Sequence, residues 1–130
     1  LVLVGGRVTP SPLFVNIETF LYTDERKGAI YMIQGTTPTH KFNLDIDTGL
    51  ISKLRISYEQ NGKIVLYKEK EDCDFTANAI TVKLTQEETL KFDAPGNARI
   101  QLHAVTPSGD SMATKPMSVP VYILLDKVVL

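Results

Sequence analysis

A chain of 130 residues is one domain's worth of sequence with room for an arm, and it is long enough to bury a proper core. Its 43% hydrophobic content is that of a globular chain rather than a disordered one. The formal net charge of -1 comes from acids and bases mixed along the sequence, so the basic footprint of a nucleic-acid binder is missing, and no apolar run approaches the length of a membrane-spanning helix.

The chain opens with "LVLVGG", which is apolar but too short for a signal-peptide core and has no basic stretch ahead of it. It begins on Leu, as a processed or partial product would. "PLFVNIETFLY" shows strand-like alternation at Leu13, Val15 and Ile17. "RKG" followed closely by Met32 is what a purine-rich ribosome-binding site gives when translated in frame. Residues 1–31 therefore read as an upstream extension ahead of a native start at Met32. The competing expectation is an ordered arm that reaches onto a neighbouring subunit.

From residue 40 the strand pattern is clear. His40, Phe42, Leu44 and Ile46 share one face of "HKFNLDI", with Lys41, Asn43 and Asp45 on the other. "DTG" turns the chain into "LISKLRISYEQ", where Leu54, Ile56 and Tyr58 alternate with Lys53, Arg55 and Ser57. Asn61-Gly62 then predicts a two-residue hairpin, because both residues tolerate positive φ. In the returning "KIVLYKEKE", Ile64 and Leu66 are expected on one face and Val65 and Tyr67 on the other, giving a hairpin covered in part on both sides. "CDFTANAITVKLT" holds another strand with Ile80, Val82 and Leu84 inward.

Thr85 with Glu88 three residues on has capping-box spacing, which predicts one helical turn in "TQEETLKF". "ARIQLHAV" brings Ala98, Ile100, Leu102 and Ala104 to one face, and "TPSGDS" is a turn. The last strand runs through "MSVPVYILL"; Pro116 and Pro120 remove backbone donors there and place its first part at a sheet edge or beside a bulge. Short strands with turns about every ten residues and one crossover helical turn predict an all-β fold, an immunoglobulin-like antiparallel β-sandwich. The common core is expected to hold Phe42, Leu44, Ile46, Leu54, Ile56, Ile80, Val82, Leu84, Ile100 and Leu102.

The sequence nominates no catalytic, cofactor-binding or metal-ligating residues. His40 and His103 lie in separate strands, one on an apolar face and one on a polar face, and neither has ligand-type residues at short spacing. Glu69, Glu71, Asp72 and Asp74 in "EKEDCD" lack the D-x-D-x-D-G pattern and distal Glu of a calcium loop, and read as a solvated strand end that discourages edge pairing. "GG" at 5 and 6 and "QGTTPT" lack phosphate-loop spacing, and "TPSGDS" has Ser and Asp with no nearby His. Cys73, the single cysteine, cannot form an internal disulfide and is expected as a buried thiol. The expectation is a protein that is not an enzyme and carries no cofactor.

"MIQGTTPTHKFNLDID", "LRISYEQNGKIVLYKEKEDC", "ITVKLTQEETLKF" and "RIQLHAVTPSGDSMATKPMSV" together resemble small immunoglobulin-like phage and prophage virion proteins of Firmicutes, similar to the N-terminal module of baseplate upper proteins. The resemblance covers residues 32–130, with "QGTTPTHKF" and "KLTQEETLKF" its more specific parts, and leaves 1–31 outside. It implies a non-enzymatic structural protein of a phage or phage-like particle, in the tail or baseplate, acting by subunit assembly in the virion. Its implied partners are other virion proteins and copies of itself, with no nucleic acid and no membrane. The alternatives are a capsid decoration (cement) protein and a carbohydrate- or cell-surface-binding module, the latter meeting a host-surface glycan. The Pro-bearing strand near Met117 and the C-terminal "VYILLDKVVL" are the expected contact surfaces, unless "VYILL" completes the sandwich core.

Overall fold

The computed structural model describes residues 2–4, 7–9, 15–19, 23, 24 and 29–130, with side chains from Ile30 onward. Leu13, Gly5 and Gly6 lie outside the described residues. In chain order the first strands are β1 (Val2–Val4), β2 (Arg7–Thr9), β3 (Val15–Thr19), β4 (Thr23–Asp24), β5 (Ala29–Ile30) and β6 (Met32–Ile33). Then come β7 (Thr39–Leu44), β8 (Lys53–Gln60), β9 (Lys63–Glu69), β10 (Cys73–Phe75) and β11 (Ala79–Lys83). Short 3-10 turns cover Thr48–Leu50 and Lys70–Asp72, and an α-helical turn, α1 (Gln86–Thr89), leads to β12 (Gly96–Val105), β13 (Ser111–Ala113) and β14 (Met117–Tyr122).

Successive side chains on a strand point to opposite faces, so each alternating run in this sequence has one apolar side to bury. Two sheets bury those sides against each other. One runs β10-β11-β7-β3; the other runs β6-β14-β12-β8-β9, with β13 also paired to β12. Two further pairs, β1-β2 and β4-β5, form two-stranded sheets of their own. All ten residues expected in the core are buried, none more than 9% exposed. The fold is therefore the all-β, immunoglobulin-like sandwich that the patterning predicts.

Among the described residues, pairing in the two sheets is antiparallel except at one place. β6 runs parallel to β14, with Met32 opposite Val121 and Ile33 opposite Tyr122. The chain enters this sheet from the segment before β7 and adds a two-residue strand on the side of β14 away from β12. β12 pairs with β14 from Met117 to Val121, and β6 covers the other side of β14 only from Val121, so that side is an edge over Met117–Pro120. Pro116 and Pro120 therefore flank an edge, where a missing N–H leaves no ladder bond broken.

The β8–β9 hairpin corrects the expected facing of β9. Its turn has the predicted geometry, with φ of 55° at Asn61 and 79° at Gly62. However, Leu66 pairs with Tyr58 while Ile64 pairs with Glu59, so Val65 is an extra residue in a β-bulge. The bulge shifts the alternation by one. Leu66 faces the core, whereas Ile64 faces outward and is 57% exposed. Ile64 and Leu66 thus lie on opposite faces. "CDFTANAITVKLT" holds the expected strand as β11, with Ile80, Val82 and Leu84 buried, and adds β10 ahead of it in a hairpin, with Cys73 opposite Val82.

α1 carries the chain from one sheet to the other. The Thr85 hydroxyl accepts from the Glu88 N–H at 3.2 Å, and the Glu88 carboxylate accepts from the Thr85 N–H at 2.8 Å. This reciprocal cap satisfies donors that the first turn leaves free. Glu88 also pairs with Lys68 of β9 at 2.8 Å, and the buried Thr89 hydroxyl donates to the Thr36 carbonyl at 2.8 Å. These anchors set Phe92 into the core, edge-on to Tyr58 with ring centroids 6.2 Å apart.

Candidate functional site

The outer face of the larger sheet collects polar side chains that the core rejects. Register places Gln101 of β12, Ser57 of β8 and Tyr67 of β9 in one row across three strands. The Arg55 guanidinium lies over the Tyr67 ring, 4.1 Å from its centroid, a cation–π contact. In the next row Arg99 donates from Nε to the Glu59 carboxylate at 2.6 Å and from a terminal nitrogen to the same oxygen. Glu59 also accepts from the Gly62 N–H at 3.0 Å. The Arg99 hydrogen bond, then that of Gly62, hold the Glu59 carboxyl below its ordinary pKa.

Ser57 is the smallest member of these rows, and over it lies a depression of about 130 Å³ lined by Ser57, Glu59, Ile64, Arg99, Gln101 and Pro116. Gln101 is fixed beside it by donating its amide to the Thr114 carbonyl at 2.8 Å. None of these side chains stands out in the sequence as a site residue. The outward half of the period-two pattern does place them on a common face. The bulge that adds Ile64 to the rim has no sequence signal.

Farther along the same face His103 Nε2 and Ser111 Oγ approach to 2.7 Å. "TPSGDS" therefore does have a histidine beside its last serine, which the sequence reading missed because the β12–β13 hairpin makes the contact. Both groups are exposed, and among the described residues no carboxylate orients the histidine. The pair is a serine–histidine hydrogen bond on open sheet surface rather than an assembled nucleophile and base.

His40 lies far from that face, wholly buried between the sheets. Its Nδ1 is 2.8 Å from the Tyr58 hydroxyl, and its Nε2 has no partner among the described residues. Burial lowers its pKa from 6.5 to about 4. Burial also raises Tyr58 well above its ordinary value, with lesser contributions from Cys73 and Glu88. The two histidines are thus not brought together, and no three His, Cys, Asp or Glu side chains converge as a metal site among the described residues.

The acidic run is used locally. The Glu69 N–H donates to the Asp72 carboxylate at 2.9 Å, and Glu69 lies 3.8 Å from Arg55. Cys73 is partly buried, not fully as expected, because it sits on β10 at the edge of its sheet. Burial, and next the Asp72 carboxylate, push its thiol up to about 11, so it is not thiolate near neutrality.

A second surface follows β14. Val121 joins the core, but Tyr122, Ile123, Leu125, Val128, Val129 and Leu130 are exposed, Leu125 to 93% and Leu130 to 98%. Two glutamines hold this segment by its backbone. Gln34 donates to the Phe92 carbonyl at 2.6 Å and accepts from the Leu124 N–H at 3.2 Å. Gln86 of α1 accepts from the Leu130 N–H at 2.9 Å and donates to the Leu130 carbonyl at 3.1 Å. The backbone is anchored while the apolar side chains face water.

No protein-family model matches the sequence. A search of curated proteins finds no match either. Among solved structures, the chain is similar to the fibronectin(III)-like modules of CbhA from Clostridium thermocellum, at 15% identity and a TM-score of 0.46, over 85% of this chain and 100% of that one.

Proposed function

We infer that this chain is a non-enzymatic structural subunit of a phage or phage-like particle, in the tail or baseplate, working by packing against other virion proteins and copies of itself. The observation that carries the reading is the apolar strip over residues 122–130. It holds six exposed large hydrophobic side chains on a backbone tied down by Gln34 and Gln86. Exposed apolar side chains gathered on one segment support a protein contact there. Preordering its backbone lowers the entropy lost on docking. The resemblance of residues 32–130 to small virion proteins supplies the kind of particle.

Truncation after Asp126 tests it. Lys127–Leu130 are exposed and attached through Gln86, so the shortened domain keeps its folded spectrum and its denaturation midpoint. When expressed with the neighbouring virion genes it no longer enters particles. Normal incorporation of the truncated chain overturns the assembly role of Lys127–Leu130, and normal incorporation of a chain that also carries Tyr122→Ser, Ile123→Ser and Leu125→Ser overturns that of the whole strip.

A further inference from the structure

We propose that the outer face of the larger sheet is a binding site for a neutral oligosaccharide, centred on the depression over Ser57. The inference is independent of the assembly reading, which concerns residues 122–130.

The lining of the depression selects the ligand class. A carboxylate (Glu59), a guanidinium (Arg99), a primary amide (Gln101) and a hydroxyl (Ser57) converge on about 130 Å³. Together they offer both donors and acceptors. Each hydroxyl of a sugar is itself a donor and an acceptor, so a mixed set suits it. Glu59 and Arg99 neutralise each other through their hydrogen bonds, so the site offers no net charge to an anion or a cation. The volume is well below the roughly 300 Å³ at which enclosed small-molecule pockets begin. It suits one ring edge of a ligand that otherwise lies along the surface.

The rest of the ligand has a platform. Tyr67 is 49% exposed, and Arg55 covers one face of its ring, so a sugar would meet the opposite face or the ring edge. Ile64 is turned outward by the bulge at Val65. An aromatic ring and an aliphatic side chain beside a polar depression match the two characters of a pyranose, apolar C–H faces and a polar hydroxyl rim. Tyr67 and Gln101 are separated by two inter-strand spacings, about 10 Å, a span for roughly two pyranose rings. The site lies on three hydrogen-bonded strands, so little ordering is required when ligand binds.

Cellotetraose and tetra-N-acetylchitotetraose, each titrated into the ¹⁵N-labelled full chain to about 10 mM, test the site, since a complex with a Kd near 1 mM is then mostly formed. Amide shifts clustered at Ser57, Tyr67, Arg99 and Gln101 with at least one sugar are expected, with the tetramer binding about tenfold more tightly than its monosaccharide. Tyr67→Ala and Ser57→Leu, with spectra otherwise unchanged, each weaken binding about tenfold, whereas His103→Ala leaves it intact. No clustered shifts with either sugar, or undiminished binding by both face variants, overturns the proposal. So does a response of this face to a Gly-Ser hexapeptide but to neither sugar, which assigns it to protein.

Discussion

Leu102 sits in the middle of β12, wholly buried, with Ala104 and Ile100 on the same inward face and Ile56 opposite it on β8. Leu102→Ala removes this packing where strands on both sides restrict collapse, and should cost about 2–5 kcal/mol, read as a lower urea midpoint. An unchanged midpoint would contradict the inward placement. Gly35 is constrained differently. Its φ is +74°, and a Cβ there would stand 2.5 Å from Leu124 Cδ2. Gly35→Ala should therefore cost about 1–2 kcal/mol through the left-handed backbone and move the Leu124 methyl resonances, because that side chain has to yield. At this scale the sequence is informative wherever alternation is unbroken, as for Phe42, Leu44 and Ile46. It misleads at Ile64, because a bulge is a property of two strands and leaves no mark on one. The same holds for Ser111, which meets His103 only after β12 and β13 pair.

The turns and the cap are the elements most legible beforehand, because their chemistry is local. Asn61-Gly62 needs positive φ at both positions, and Thr85 with Glu88 needs one helical turn; neither depends on the rest of the fold. Gly62 has open space where a side chain would project, so Gly62→Val acts through backbone strain alone. A β-branched residue at φ of 79° should lower stability by about 1–2 kcal/mol and broaden amide signals over residues 58–66. Normal stability with sharp signals would rule out strain at this turn. At α1, Thr85→Ala loses the hydroxyl acceptor and should cost about 1 kcal/mol, visible as faster hydrogen exchange at the Glu88 amide. The sheet-face depression was less legible. Its members come from β8, β9, β12 and the approach to β14, so they converge only when four separate stretches are brought into register.

For the whole molecule, pattern foretells two apolar faces closing on one core, but strand order is a matter of long-range pairing that no local run encodes. The parallel β6–β14 contact joins residues about ninety positions apart, and the sequence offered no hint of it. His40 shows what closure does to a residue. It begins an apolar face, and when the two sheets meet it becomes a buried imidazole bonded to Tyr58 and Nε2-orphaned among the described residues. Burial holds its folded pKa at about 4 against 6.5, so between those values the unfolded chain takes up a proton that the folded chain refuses. The sign follows from that imbalance: stability is intact above pH 6.5 and falls as pH drops toward 4. It then levels off with respect to this group, after a total loss of about 3 kcal/mol. Glu88 adds a separate loss at lower pH. Burial alone would raise its carboxyl, but the Lys68 and Thr85 hydrogen bonds hold it below its ordinary 4.5. His40→Gln has no titrating ring, so urea midpoints of this variant should be flat from pH 7 to 5, where those of the parent decline. Parallel decline in both proteins would show that acid sensitivity in this range arises elsewhere than at His40.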